Sequence, residues 1–168
     1  GNVRMNGPVP YADFRHALPE RTIGVTLYLG YLAYLNIPKP DKYRTFFILR
    51  DPRDIVVSWY FSVRYSHSPM GLISKFRSDL ANLSLPEGLK YSIDILQETG
   101  LFDVQRSWSR ASSCGNTEIF YYEDFARDNR SFLRQLFDYL SIVIPHDDFN
   151  ALYTKHKFEE YTEGRKLG

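Results

Sequence analysis

The feature that most constrains the fold is the segment "FFILRDPRDIVVSW" at residues 46–59. Its first half completes the run Tyr43–Leu49, which predicts a strand covered on both faces. Its second half begins like a helix, because Asp51 can cap it, Pro52 suits the first helical position, and Asp54 places a carboxylate in the positive first turn. A strand that passes directly into a helix is the building unit of a parallel α/β sheet.

Apolar periodicity and turn residues divide the rest of the chain into helices and one further strand. Residues 1–22, punctuated by Gly and Pro, are predicted to be mostly loop, and Glu118–Tyr122 is predicted to be a strand. Helices are predicted at about Ile23–Asn36, Asp51–Tyr65, Met70–Leu83, Pro86–Ser109 with a break near Gly100, Asn129–Leu140 and Asp147–Thr154. The sequence therefore predicts a single α/β domain over residues 1–168, with an open parallel sheet flanked by helices.

Composition narrows the class of protein. A net charge of +1 gives no global field for nucleic acid or an anionic membrane, so any anion site must be local. Cys114 is the only cysteine, which excludes an internal disulfide and a cysteine-based metal cluster and fits a reducing compartment. The uncharged run Ile23–Ile37 is fifteen residues long, and a membrane span needs roughly twenty. We expect a soluble, cytoplasmic protein with no signal peptide, no membrane span and no nucleic-acid partner.

The corner after the first predicted strand is a candidate anion site. Arg50 lies at the carboxyl end of that strand, where ligands bind in open parallel sheets, and its guanidinium suits a phosphate. The helix that follows is expected to offer unpaired N–H groups and a positive dipole end, with Ser58 about 10 Å along it. Two simpler interpretations remain open at this point: Arg50 could pair with Asp54, and Ser58 could bond its own backbone or face solvent.

The longer segment "FFILRDPRDIVVSWYFS" resembles the 3′-phosphate-binding segment of the sulfotransferases that use 3′-phosphoadenosine 5′-phosphosulfate (PAPS). That segment is an apolar strand, R-[DN]-P-[RK]-D, and a Ser eight residues after the Arg, and the matching positions are Arg50 and Ser58. The resemblance implies that these two residues bind the 3′-phosphate of PAPS.

Two later segments resemble the same family in the same order. "IFYYEDF" is similar to an element whose Tyr lies near the adenine, which here is Tyr122. "KHKFEEY" is similar to T-S-F-x-x-M, whose Phe stacks on the adenine, and Phe158 takes that place although His156 and Lys157 replace the Thr and Ser. Core packing is the ordinary alternative for either aromatic residue.

The resemblance covers most of residues 44–165 and is nearest in character to bacterial and cyanobacterial sulfotransferases. It implies a P-loop nucleotide-hydrolase-like fold without a metal. It also implies transfer of a sulfonate group from PAPS to a hydroxyl or amine of a small-molecule or glycan acceptor, with adenosine 3′,5′-bisphosphate (PAP) as the product.

Two elements of the family pattern do not occur in these residues: the Lys-bearing phosphate loop similar to P-K-S-G-T-T, and the closing R-K-G-x-x-G-D-W-K. We therefore expect a domain that is incomplete at both ends. The alternative is a catalytically silent nucleotide-binding or scaffold domain of the same fold, and an unrelated phosphate-binding enzyme such as a small kinase ranks last.

Two histidines are candidates for the base that accepts the proton of the acceptor. His16 in "FRHALPE" resembles the family's T-H-L-P segment, with an extra Ala and no Thr, and it is the preferred catalytic residue. His67 in "YSH" is the competitor, because the end of the Ser58 helix borders the acceptor pocket in the family. An exposed histidine with no role is the simpler interpretation of either.

Overall fold

The protein is described from a computed structural model that covers residues 4–6 (backbone only), 16–17, 19, 22–24, 29–111 and 115–155. Its strands are β1 (Arg4–Asn6), β2 (Thr22–Gly24), β3 (Thr45–Leu49) and β4 (Thr117–Tyr121). Its helices are α1 (Tyr31–Leu35), α2 (Pro52–Phe61), α3 (Leu72–Ala81), α4 (Leu85–Glu98), α5 (Leu101–Ser109), α6 (Tyr122–Arg127), α7 (Asn129–Tyr139) and α8 (His146–Lys155).

The described strands form two pairs. β1 and β2 are parallel, with Arg4 opposite Thr22, and β3 pairs with β4. The mixture of helices and strands with a parallel pair confirms the predicted α/β class. The chain divides within β4 into two compact units, of which the first ends at Ile119 and the second begins at Phe120. The prediction of a single domain stays a prediction.

One core cluster of the first unit lies under the end of β3. Its buried members are Tyr34, Leu49 and Trp108. The indole of Trp108 stacks on Phe47 with the ring centres 4.5 Å apart and the planes 6° apart. The Tyr34 hydroxyl and the Thr117 hydroxyl are hydrogen-bonded at 3.0 Å, and both residues are buried. Strand β3 is thereby packed on α5, and α1 is hydrogen-bonded to β4.

A second core cluster of the first unit lies beneath α2, α3 and α4, and its buried members are Tyr60, Val63 and Leu80. α4 approaches closely because Gly88 lies directly against the Tyr60 ring, where an added Cβ would clash unless the ring shifted. Aromatic and aliphatic side chains from the three helices surround this cluster and hold α2 by its inner face.

The second unit is built on aromatic packing. Phe132 of α7 and Phe149 of α8 are each 4% exposed. α7 begins at the cap Asp128, whose carboxylate accepts the Ser131 N–H at 3.0 Å. The helix ends in a Schellman motif, in which Ser141 adopts a left-handed φ of 56°. The prediction of an amphipathic helix at Asn129–Leu140 is confirmed.

Most predicted helix boundaries are confirmed where local chemistry determines them. α2 begins after the Asp51 cap with Pro52 at its start, and the long helix predicted after Pro86 breaks at Gly100, whose φ is 75°. Within the described part of the chain, no helix is long and apolar enough to cross a membrane.

Three predictions were wrong in part. The helix predicted from Ile23 is a strand at Thr22–Gly24, because these residues pair with β1, and the helix begins only at Tyr31. Strand β3 is not covered on both faces, since Phe46 and Ile48 are 37% and 38% exposed. α2 does not run to Tyr65 as an α-helix but widens into a π-helical turn at Ser62–Ser66.

Candidate functional site

Strand β3 and helix α5 position Arg50. Leu49, the residue before it, is buried in the first core cluster, and the Arg50 backbone N–H donates to the side-chain oxygen of Gln105 at 3.4 Å. Gln105 lies on the same helix as Trp108, on which β3 packs through Phe47. The end of β3 is therefore held at both its backbone and its side chains, and the half-buried Arg50 leaves the strand at a defined point.

The start of α2 carries its own negative charge. Asp51 accepts the Arg53 N–H at 2.8 Å, and the Arg53 guanidinium donates to the same carboxylate at 3.0 Å and 2.5 Å. The side-chain hydrogen bond from Arg53, followed by the backbone bond, lowers the pKa of Asp51 to about 2. Asp51 therefore already accepts one N–H of the first turn, that of Arg53, and the expectation that the other N–H groups of this helix end meet a ligand anion stays a prediction. A carboxylate at the helix start favours an anion that lies beside the helix.

Ser58 lies on the side of α2 that could meet such an anion. Val56 and Tyr60, two residues before and two residues after Ser58, are buried on the opposite side of the helix, while Ser58 is exposed. It follows Asp51 by two helical turns, so it projects on nearly the same side, about 10 Å along the axis. Among the described residues its hydroxyl has no hydrogen-bond partner, whereas the Ser92 hydroxyl bonds back to the Gly88 carbonyl at 2.7 Å. Ser58 thus offers a hydroxyl to solvent.

The aromatic candidates lie in the second unit or outside the described residues. Tyr122 is the first residue of α6 and not the end of a strand, because β4 ends at Tyr121. The Tyr122 ring is half-buried and lies 5.8 Å from the Phe125 ring. Phe158 lies outside the described residues, so its predicted place on the adenine stays a prediction.

The two candidate bases occupy different settings. His16 is exposed and lies at a bend. His67 is exposed at the end of the π-helical turn, and its backbone N–H donates to the Ser62 carbonyl at 2.7 Å. The structure therefore places His67 at the end of the helical run that carries Ser58. Within the described ranges, no group of three His, Cys, Asp or Glu side chains could hold a metal ion.

The sequence reasoning missed Arg77, which holds the π-helical turn through its guanidinium. A signal was present, because Arg77 occupies the apolar side of α3 between Ile73 and Leu80 at helical spacing. An arginine at such a position needs a polar partner inside the fold.

The sequence profile of the family described as "Sulfotransferase domain" matches residues 36–167. The chain belongs to the sulfotransferase domain family. The matched region includes Arg50, Ser58, Tyr122 and Phe158, and it confirms the family predicted from the motifs.

Similarity to individual proteins is more distant. The sulfotransferase domain is 23% identical to Sulfotransferase 2A2 of Rattus norvegicus over 128 residues, which are 73% of this chain and 40% of that protein. The chain therefore spans about 40% of the length of this relative. No solved structure matches the chain.

Proposed function

We propose that the complete protein transfers a sulfonate group from PAPS to a hydroxyl or amine of a small-molecule or glycan acceptor, in the cytoplasm. Family membership supports sulfonate transfer in general. The observation that carries the choice of donor is the placement of Arg50 directly after β3 and of the exposed Ser58 two turns along α2.

Arg50 and Ser58 are proposed to bind the 3′-phosphate of the donor. A guanidinium presents several N–H donors to phosphate oxygens, and a hydroxyl adds one donor from a second direction. The Asp51 carboxylate and its partner Arg53 occupy the helix start, which favours a phosphate beside α2, between Arg50 and Ser58. Tyr122 and Phe158 are proposed as contacts of the adenine, on the resemblance of their segments.

The reaction in this proposal is an in-line displacement at sulfur. The acceptor oxygen attacks the sulfur of PAPS, the bond from sulfur to the 5′-phosphate oxygen breaks, and PAP leaves with that electron pair. A histidine takes the acceptor proton; the sequence resemblance favours His16, with His67 as the competitor. In a P-loop-like fold, a Lys-bearing loop elsewhere in the complete protein would neutralise the negative charge of the 5′-phosphosulfate.

Calorimetry on the complete protein tests the donor site. A charge-assisted hydrogen bond contributes roughly 1.5–3 kcal/mol, so Arg50→Gln should weaken PAP binding by about tenfold or more. Binding of 5′-AMP, which lacks the 3′-phosphate, should hardly change. Ser58→Ala should also weaken the binding of PAP more than that of 5′-AMP, by a smaller factor than Arg50→Gln.

Arg53→Gln is the matched control. Arg53 lies three residues after Arg50 and carries the same charge, but its guanidinium is already paired with Asp51. Equal losses for PAP and 5′-AMP in Arg50→Gln, or an equal loss in Arg53→Gln, would contradict the assignment. PAP binding without transfer from labelled PAPS would instead favour a silent nucleotide-binding or scaffold domain.

A further inference from the structure

The helix that carries Ser58 changes its hydrogen-bond pattern before it ends. In the π-helical turn Ser62–Ser66, the His67 N–H donates to the Ser62 carbonyl five residues earlier, at 2.7 Å. An α-helix would have directed that N–H to the Val63 carbonyl, four residues earlier. The wider turn therefore leaves the Val63 carbonyl to find another donor. Such turns recur at functional sites in proteins.

Arg77 of α3 supplies the missing donor. Its Nε donates to the Val63 carbonyl at 2.8 Å, and its Nη2 donates to the His67 carbonyl. Val63 is fully buried, so its carbonyl lies against the core, where an unpaired acceptor is costly. One guanidinium thus joins the inner side of the π-helical turn to the residue that ends it.

Other contacts hold the same turn from within. Arg64 donates to the Tyr60 hydroxyl and, at 3.4 Å, to the Leu83 carbonyl, and the Ser66 hydroxyl donates to the Ser62 carbonyl at 3.3 Å. The inner side of the turn is therefore bonded to α2, α3 and the residues before α4. Its outer side is exposed and carries His67.

We infer that Arg77 is a positioning residue that holds the π-helical turn and, through it, His67, and that His67 takes the proton of the acceptor. The inference rests on the proposed sulfonate transfer. The acceptor oxygen forms its bond to sulfur, PAP leaves with the electrons of the broken sulfur–oxygen bond, and the hydroxyl proton passes to the His67 ring and then to solvent.

The structure favours His67 because its backbone is bonded on both sides. The N–H is held by Ser62 and the carbonyl by Arg77, and the side chain stays accessible. His67 also follows Ser58 by nine residues and comes directly after the helical run that carries Ser58. The group proposed to meet the nucleotide and the group proposed to meet the acceptor are therefore joined by a short run of helix, and holding such groups in place is the preorganisation that a transfer step requires.

The test uses the complete protein with Arg77→Met, which keeps the aliphatic stem and removes every donor. We expect kcat to fall by about 10–100-fold, the scale of a displaced catalytic group, while PAP affinity measured by calorimetry holds. Arg77→Lys should lose less, since an ammonium can still reach one carbonyl. Arg106→Met is the matched control, because Arg106 is exposed and, among the described residues, its guanidinium forms an ion pair with Asp103 alone, at 3.6 Å.

Two further measurements distinguish the positioning of His67 by Arg77 from a general loss of stability. Loss of kcat in the double variant Arg77→Met/His67→Ala should equal that of His67→Ala alone, because residues that act through one group are not additive. Hydrogen exchange at the amides of residues 62–67 should speed up in Arg77→Met and not in Arg106→Met. If Arg77→Met does not fold, Arg77→Lys carries both comparisons.

Multiplicative losses in the double variant, unchanged exchange at residues 62–67, or full activity of His67→Ala would each overturn the inference. Absence of transfer by the unsubstituted protein would contradict the proposed function. The exchange measurement would then still decide whether Arg77 holds the turn.

Discussion

The contact between Gly88 and Tyr60 predicts that Gly88→Ala changes the free energy of unfolding in opposite directions with and without the Tyr60 ring. In the native protein, Gly88→Ala would place a methyl group against the Tyr60 ring, with a Leu80 methyl group 3.4 Å away. Tyr60 is only 2% exposed, so its ring cannot turn away freely. Overpacking of this kind costs about 1–3 kcal/mol, and the better helix propensity of Ala returns up to about 1 kcal/mol. We expect a net loss of about 1–2 kcal/mol.

Urea unfolding of the complete protein, followed by tryptophan fluorescence, measures this change. In a Tyr60→Leu background the ring is absent, so Gly88→Ala should become stabilising by up to about 1 kcal/mol from helix propensity alone. Ser78→Ala on the exposed side of α3 is the control, because it raises helix propensity at a position where the added residue meets no buried side chain. A stabilising Gly88→Ala in the native background would refute the reasoning, because it would mean that α2 and α4 are not in close contact.

Three further changes test other parts of the chain. Ser141→Gly should stabilise the complete protein by about 1 kcal/mol in urea unfolding, because Ser141 adopts a positive φ that glycine adopts without cost; destabilisation would contradict the Schellman end of α7. The folded-state pKa of Asp51 lies near 2, below its ordinary 3.8, so its contribution is present above pH 3.8 and lost as pH falls through about 2. Asp51→Asn should therefore flatten the acid side of the stability profile, and an unchanged profile would count against the pair with Arg53. Tyr34→Phe should cost about 1–3 kcal/mol by leaving the buried Thr117 hydroxyl unpaired, and adding Thr117→Val should recover most of that loss in the same unfolding assay.

The features that could be predicted from the sequence are those that depend on neighbouring residues. Asp51 and Pro52 favour a helix start through their own chemistry, as cap and first helical residue, and Gly100 can end a helix because it adopts a positive φ. The Arg-to-Ser spacing of the candidate donor site is equally local. The Asp51–Arg53 pair was the local effect that the sequence reasoning overlooked, and it changes where an anion can lie.

The features that could not be predicted depend on distant parts of the chain. Ile23 lies in an uncharged run that fits a buried helix or a strand equally well, and its pairing with β1 decides the outcome. The π-helical turn exists where Arg77, ten or more residues later, can supply a donor to Val63. The residues of the turn itself carry no information about that donor, and the position of Arg77 on the apolar side of α3 does not say which carbonyl it meets, so the sequence predicted an ordinary helix there.

The two residues of the candidate site in the first unit, Arg50 and Ser58, are each positioned by a different core cluster. Arg50 follows Leu49, which belongs to the cluster of Tyr34 and Trp108. Ser58 and the π-helical turn stand on the cluster of Tyr60, Val63 and Leu80.

The chain passes from one cluster to the other through Asp51 and Pro52. The cap bond from the Arg53 N–H to Asp51 and the restricted φ of Pro52 make that passage stiff. The spacing between Arg50 and Ser58 is therefore set by the helix start as much as by either core. A flexible substitution such as Pro52→Gly should then weaken PAP binding without disturbing either cluster, whereas loss of a cluster member should first lower the stability of the fold.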